Sequence, residues 1–581
     1  MRRVAAGLLA ATLMGACAQI RPQAAQPLAA AEPAHPRSEP EQEAAPRAEP
    51  LPAQELSGQI LYQLLLAEIS ARRGNLPLAA SAYLDLAQKT RDPRVARRAT
   101  EIAHFARQRE QALQAARLWI EIDPQSIQAR HALVGLLAAA NRYEELAEHA
   151  AILLASDPRR LPRTLLQLNR LFEQAQDRAA ARSLVERLTQ PYLASPEAHF
   201  ARAQAAHSAG DMDASFAAAS EALRLRPGWE QAALLRAQSR LDKAPAEAAA
   251  GLAEFLKGHP KAREVRLAYA RLLTGEKRYP QAREQFQALL TEFPDNADVL
   301  FAVAVLSFQI DDYDTAERSF RRLTGLRFAR QDAVRMYLGQ IAENRKRNEE
   351  ALEWYGAVAE GEQYLPAHIR YAEVLGRMGR LDEARAHLHG LKAANNLSRI
   401  QLVLAEAALL RNAEKLREAF DFLDAALLTH PNQPDLLYEA ALLAERIGRM
   451  DVLEANLRAV MRIKPDHAHA YNALGYSLAE RNERLTEAHG LIVKALSLAP
   501  NDPFILDSMG WVLYRMGDAA GAIDHLQRAW KLRSDPEIAA HLGEVLWSAG
   551  RREEATRTWR EAERAHPGNQ VLTGVIKRFL P

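Results

Sequence analysis

Residues 503–569 read PFILDSMGWVLYRMGDAAGAIDHLQRAWKLRSD and then PEIAAHLGEVLWSAGRREEATRTWREAERAHPGN, two units of similar pattern laid end to end. In each, a hydrophobic-Gly pair (Met509-Gly510, Leu542-Gly543) precedes an alanine (Ala522, Ala555), and a larger side chain follows the alanine by one helical turn (Leu526, Trp559). Working outward, a small or apolar residue returns every 33 to 35 positions: Ala79, Ala112, Leu146, Ala180, Ser215, Ala248, Ala282, Ala316, Ala351, Ala384, Ala419, Leu453, Ala488, Ala522 and Ala555. A small residue at fixed phase lets two helix backbones approach once per repeat, and the larger residue four positions on, such as Tyr83, Phe286, Phe320, Tyr355 or Leu423, fills the next contact on the same face. Prolines then punctuate the array at Pro124, Pro158, Pro227, Pro260, Pro294, Pro431, Pro465, Pro500 and Pro567, where a residue without an N–H cannot continue a helix. The unit is a helical hairpin, and the chain is predicted to be an all-α solenoid.

The rest of the composition agrees. Ala, Leu, Arg and Glu favour helix, and no run of alternating β-branched residues makes a sheet. The 581 residues exceed an ordinary single core, but a solenoid has no such limit because each unit packs only on its neighbours. Net charge is +2, with acids and bases interleaved, and neither a basic stripe nor a motif points to nucleic acid. No nucleophile elbow, phosphate loop, His-Glu-x-x-His pair or dinucleotide fingerprint occurs, so no catalytic residue and no cofactor is assigned. His387 and His389, and His467 and His469, stand two apart, so each pair points to different sides of its helix and is no natural metal chelate. The string Thr274-Gly275-Glu276-Lys277-Arg278-Tyr279 reads as a turn between two helices.

Leu474-Gly475, Met509-Gly510 and Leu542-Gly543, followed by Ala488, Ala522 and Ala555 and by Pro500 and Pro567, resemble the tetratricopeptide repeat (TPR) family, with departures at Pro536 and between Arg159 and Pro196 and between Leu365 and Pro434. The resemblance implies a superhelical solenoid of about 11 to 15 hairpins over residues 55–581, closed by a C-terminal capping helix. In that family the first helix of each unit lines a concave groove. Carried over, those positions are His469, Asn472, Tyr476, Ala479 and Glu480; Phe504, Asp507, Trp511, Tyr514 and Arg515; and Glu537, Ala540, Glu544, Trp547 and Ser548. Asn472, Tyr476, Asp507, Trp511, Tyr514, Glu544 and Trp547 are the expected partner-binding set, rings giving area and polar groups fixing a peptide backbone. The competing expectation is that some of these rings pack between repeats. The family's clamp for a C-terminal carboxylate is not reproduced at these positions.

The N-terminus points to a compartment. Arg2 and Arg3 precede an apolar run from Val4 to Met14 that is too short for an ordinary transmembrane helix, so residues 1–16 read as an export signal. Met14-Gly15-Ala16-Cys17 resembles the lipobox of bacterial lipoproteins, in which the cysteine carries diacylglycerol, and Cys17 is the chain's single cysteine. An ordinary signal peptide cut near Ala16 or Ala18 is the alternative. Ala18, where an Asp would be the inner-membrane cue, directs the expectation to an outer-membrane lipid anchor facing the periplasm. Residues 17–54, rich in Ala, Pro, Glu and Gln, have too little apolar surface to fold and read as a tether, either a passive spacer or a binding segment. The first ordered helix carries Ile60, Leu61, Leu64, Leu65, Leu66 and Ile69, apolar on more than one face. Either neighbouring helices cover both faces, or Leu61, Leu64 and Leu65 are left for a partner.

Lipobox, tether and array together resemble the outer-membrane TPR lipoproteins that serve as adaptors for periplasmic carboxyl-terminal processing proteases, on Leu61-Tyr62-Gln63-Leu64-Leu65-Leu66-Ala67-Glu68, Asp507-Ser508-Met509-Gly510-Trp511-Val512-Leu513-Tyr514 and Ala540-His541-Leu542-Gly543-Glu544-Val545-Leu546-Trp547. The resemblance implies a non-enzymatic scaffold whose partners are such a protease and its cell-wall hydrolase substrates. A scaffold for envelope-polymer or outer-membrane assembly and a peptidoglycan or glycan binder are the alternatives.

Overall fold

The computed structural model describes residues 55–172, 175–359 and 361–580. The export signal, Cys17 and the tether to Gln54 lie outside the described residues. Helices and short turns make up the described chain, which divides into two units, Met1–Ser319 and Phe320–Pro581. Among the described residues the first unit holds seven complete hairpins and ends within an eighth. The second holds seven hairpins followed by the closing helix Gln570–Phe579. Each unit is therefore an array of helical hairpins, the all-α solenoid that the period predicts.

Local chemistry sets where each helix begins and ends. Asp502 caps Pro503–Arg515 by accepting hydrogen bonds from the Phe504 and Ile505 amides at 2.9 and 3.1 Å. Asp211 and Asp518 do the same for their helices, each satisfying an amide that the first helical turn leaves without a partner. At the other end, the prolines of the period follow a residue driven out of helical geometry by the proline ring. Phe293 (φ −128°, ψ 74°), Lys464 (−131°, 79°) and Ala499 (−139°, 76°) stand before Pro294, Pro465 and Pro500 in nearly one conformation. One steric rule, repeated, gives one turn, repeated.

Between the two helices of a hairpin the chain reverses through a left-handed residue. Gly448, Gly517 and Gly550 have φ of 79°, 90° and 80°, and Lys277, Asp311, Lys346, Glu414 and Asn482 take the equivalent place at 56° to 60°. The following amide closes each turn back onto the helix, as Asp518 N–H does on Leu513 C=O at 2.9 Å and Arg278 N–H on Leu273 C=O at 2.9 Å.

The small positions lie where the period puts them. Ala79, Ala112, Leu146, Ala282, Ala351, Ala419, Ala488, Ala522 and Ala555 are all fully buried at helix crossings. Ala180 is the exception, half-buried while its neighbour Ala181 is buried. Here the first helix, Leu161–Gln167, tightens into the 3-10 turn Leu168–Phe172, which shifts the phase of Arg178–Thr189. The segment from Leu365 to Pro434 instead forms regular hairpins, with Ala384 and Ala419 fully buried.

The first helix, Gly58–Arg72, has one packed face and one open face. Ala67 is fully buried and Leu64 packs against the core of the first unit. Leu61, Tyr62, Leu65 and Ile69 form a stripe on the other face, 43%, 67%, 50% and 47% exposed. Leu64 therefore departs from the expected partner-binding set: a position three before Ala67 turns it to the core, while Leu61 and Leu65 turn outward. No helix among the described residues is long and apolar enough to cross a membrane.

Candidate functional site

In the second unit the first helices Pro434–Arg446, Ala468–Glu480, Pro503–Arg515 and Pro536–Ser548 succeed one another with the period of the repeat, presenting like positions side by side. At their centre is a cluster of alternating rings and carboxylates. The His541 Nδ1–H donates to both oxygens of Asp507 at 2.9 and 3.1 Å, and the two side chains are only 12% and 9% exposed. The His541 imidazole stacks on Trp511, with centroids 4.4 Å apart and planes at 23°, and lies 6.1 Å from Tyr476. The indole Nε1–H of Trp511 in turn donates to Glu480 Oε2 at 2.7 Å.

Electrostatics explain the arrangement. Burial works against a charged His541, but the Asp507 carboxylate, and behind it Glu537 and Glu480, outweigh that cost and raise its pKa above the ordinary 6.5. Burial likewise pushes the Tyr476 hydroxyl well above its usual range, helped by Glu480, Asp507, Glu537 and Glu445, which gather around it from four successive first helices. A histidine in an acidic, aromatic surround is thus held where three repeats meet, with the Arg515 guanidinium 5.8 Å over the Trp511 ring.

The expected residues separate into three groups. Asp507 and Trp511, at 6% and 5% exposure, fill the space between repeats and are not open contact area, because His541 from the next repeat covers the indole face. Tyr476 and Tyr514 are half-buried at the edge of the same cluster. The Tyr514 hydroxyl lies 2.9 Å from Ser548 Oγ, and its ring is 5.4 Å from Trp511. Asn472 is half-buried too, and its side-chain carbonyl oxygen is buried without a hydrogen-bond partner.

Trp547 and Glu544 belong elsewhere. Trp547 packs on Trp559 at 5.9 Å and on Phe579 at 5.8 Å, with the Arg552 guanidinium 5.1 Å over its ring, and Glu544 pairs with Arg578 at 2.5 Å. The closing helix Gln570–Phe579 draws both away from the other aromatic groups.

His541 was not among the expected residues, since it falls one position beyond Ala540, the inward position of its helix. One signal was available: Asp507 and His541 are 34 residues apart, one repeat in register, and an acid facing a histidine at that interval is a natural inter-repeat pair. The histidine pairs part as their spacing requires. His387 turns to His368, Nε2 to Nδ1 at 2.9 Å, whereas His389 reaches Glu406 at 2.7 Å. His467 caps the helix Ala468–Glu480 through Nδ1, accepting from the Ala470 amide at 3.1 Å.

Comparison with known proteins places the array. The pattern described as Tetratricopeptide repeat matches residues 166–228, 230–297, 301–364 and 508–570. The TPR repeat-containing protein PA4667 of Pseudomonas aeruginosa is 34% identical over 488 residues, which cover 83% of this chain and 82% of that protein. The chain belongs to the tetratricopeptide repeat family. As a TPR protein it is a protein-binding scaffold in architecture, since stacked hairpins present long surfaces of side chains and TPR domains mediate protein–protein interaction. A second relative, the cellulose synthase operon protein C of Pseudomonas fluorescens, is 24% identical over 288 residues, 45% of this chain but 22% of its own length. Among solved structures, the APC/C hetero-tetramer Cut9–Hcn1 aligns over 84% of this TPR chain and 97% of its own at 15% identity, with a TM-score of 0.29.

Proposed function

We propose that this chain is a lipid-anchored adaptor of the bacterial periplasm, holding a carboxyl-terminal processing protease and its cell-wall hydrolase substrates on one array. The observation that carries the reading is the presence of two unlike surfaces on one chain. The first unit offers an open apolar stripe at Leu61, Tyr62, Leu65 and Ile69, and the second offers the aromatic and acidic face around Tyr476 and Tyr514. An adaptor needs two surfaces, one for each partner, whereas a simple binding module needs one. Tethering both partners raises their effective concentration, so a weak substrate encounter becomes an intramolecular one. The lipobox-like Met14-Gly15-Ala16-Cys17 and the Pro/Ala-rich stretch after it support a membrane address and reach. The resemblance of its lipobox, tether and array to outer-membrane TPR lipoproteins that serve as adaptors for carboxyl-terminal processing proteases supports the choice of protease.

The test is affinity capture from detergent-solubilised envelopes with the full chain and with Cys17→Ser, followed by mass spectrometry. Recovery of a processing protease together with cell-wall hydrolases, reduced in the unanchored form, is the expected result. The partial likeness to cellulose synthase operon protein C favours a second reading, a scaffold for export of an envelope polymer. Recovery of polymer-synthesis subunits without a protease would replace the first reading by the second.

A further inference from the structure

The helix Arg552–Ala565 carries Arg552, Thr556, Arg560 and Arg564 at intervals of four, so that three guanidinium groups stand along one face. None of the three is in an ion pair among the described residues, whereas their neighbours Arg551 and Arg578 are paired with Glu554 and Glu544. Like charges four apart work against a helix, an effect the helix dipole offsets for Arg564 in the last turn. They border a cavity of about 470 Å³. It is open to solvent and lined by Trp547, Thr556 and Leu580 and by Arg552, Arg557, Arg560 and Arg564, with Glu553 the one acid. The Arg552 guanidinium lies over the Trp547 ring.

We propose that this cavity is a second binding site, taking an acidic peptide segment of a partner protein that carries an apolar side chain beside its carboxylates. Arg560 and Arg564 hold the carboxylates through paired N–H bonds, and the apolar side chain rests on Trp547 and Leu580. The volume suits one or two residues of a peptide. Four arginines against one acid, set beside two apolar side chains, match carboxylates that stand next to an apolar side chain, and an anionic bilayer is the alternative occupant that the vesicles test. The helix Arg552–Ala565 is the second helix of its hairpin, so the site is separate from the face around His541 and does not depend on the adaptor reading.

The test uses the full chain and a fluorescein-labelled peptide of alternating Glu and Leu, read by anisotropy, beside its Gln/Leu analogue and vesicles of phosphatidylglycerol. The Glu/Leu peptide is expected to bind and the Gln/Leu peptide not. Arg560→Gln with Arg564→Gln is expected to weaken binding by about tenfold or more. Arg159→Gln with Arg163→Gln, which removes two exposed arginines in the first unit, should leave it within about twofold. All four positions are exposed, and circular dichroism verifies that each variant stays helical. The proposal is overturned if both double variants lose affinity equally, if the peptide shows no binding, or if only the vesicles bind in an Arg560-dependent way.

Discussion

Gly543 lies against the Trp559 indole so closely that a Cβ on the glycine would overlap the ring. The same contact recurs one repeat earlier, where a Cβ on Gly510 would sit 2.5 Å from Leu526 Cγ and 3.0 Å from the Ala522 carbonyl oxygen. The glycine of the first helix and the small-then-large pair of the second are thus one packing device. Gly510→Ala is expected to destabilise the second unit by about 1–2 kcal/mol, because overpacking outweighs the gain in helix propensity. Gly490→Ala, at a helical glycine with nothing within 4 Å, should instead stabilise by about 0.5–1 kcal/mol. Urea titration of the two variants against the parent chain checks both signs, and Gly510→Ala with Leu526→Ala, which removes the fully buried side chain that the new methyl group meets, should cost less than the sum of the two single variants.

The left-handed turns make a second pair of opposite expectations. Lys277 holds φ at 60° where other repeats place glycine, so Lys277→Gly should gain about 0.5 kcal/mol despite the extra freedom of glycine in the unfolded chain. Gly517→Ala, at φ 90°, should lose about 1 kcal/mol or more. Thermal melts followed by circular dichroism distinguish the two.

Burial changes how the aromatic face must be tested. Trp511→Ala empties an enclosed site and breaks the bond to Glu480, so it is expected to cost about 3 kcal/mol or more and to blur any loss of partner capture. Tyr514→Ala and Glu480→Gln are the informative variants, since both side chains reach the surface. Weaker capture of a partner with unchanged helicity would assign the face to binding. Full capture by both would return the cluster to a purely structural role.

Two histidines packed between helices give pH dependences of opposite sign. His541 has a raised pKa in the folded chain, so the stability it adds with Asp507 is complete below the ordinary 6.5 and is lost as pH rises through the raised value. Hydrogen-exchange protection factors of the helices Pro503–Arg515 and Pro536–Ser548, corrected for the intrinsic rise of exchange with pH, should fall on that rise, and His541→Gln should remove the fall. His387 is the reverse: burial, then the neighbouring His368, lower its pKa to about 4. Between the ordinary 6.5 and about 4 the unfolded chain binds a proton that the folded chain refuses, so stability falls as pH drops through that window. His387→Gln should flatten the slope there in an acid titration.

Leu61→Ser with Leu65→Ser should leave the melting temperature within about 2 °C, because both side chains are about half in water and outside the packed core. The Leu64→Ser variant should destabilise the first hairpin through its contact with the core. Capture of a first partner lost in the double variant, with melting unchanged, would assign the stripe to docking.

Much of this molecule was legible in one dimension. The hairpin period, the buried alanines and the proline turns follow from sterics acting within a few residues, and repetition made each visible many times over. Ala180 broke the pattern where a 3-10 turn changed the residue count between helices, a local adjustment that hydrophobic phase alone does not report. Leu61 and Leu65 could be placed on one face of a helix, but whether that face was covered depended on a neighbour.

The inner positions show the limit most clearly. Sequence by itself determined that Tyr476, Trp511, Tyr514 and Trp547 recur on first helices, since helical spacing sets which residues share a face. Only the tertiary structure decided their roles. His541 of the following repeat covers Trp511, Phe579 of the closing helix packs on Trp547, and the arginines of Arg552–Ala565 border one cavity together with Trp547 and Leu580. Exposure is a property of neighbours brought together by stacking, and in a repeat array those neighbours lie one repeat away in the chain, beyond the reach of any local pattern.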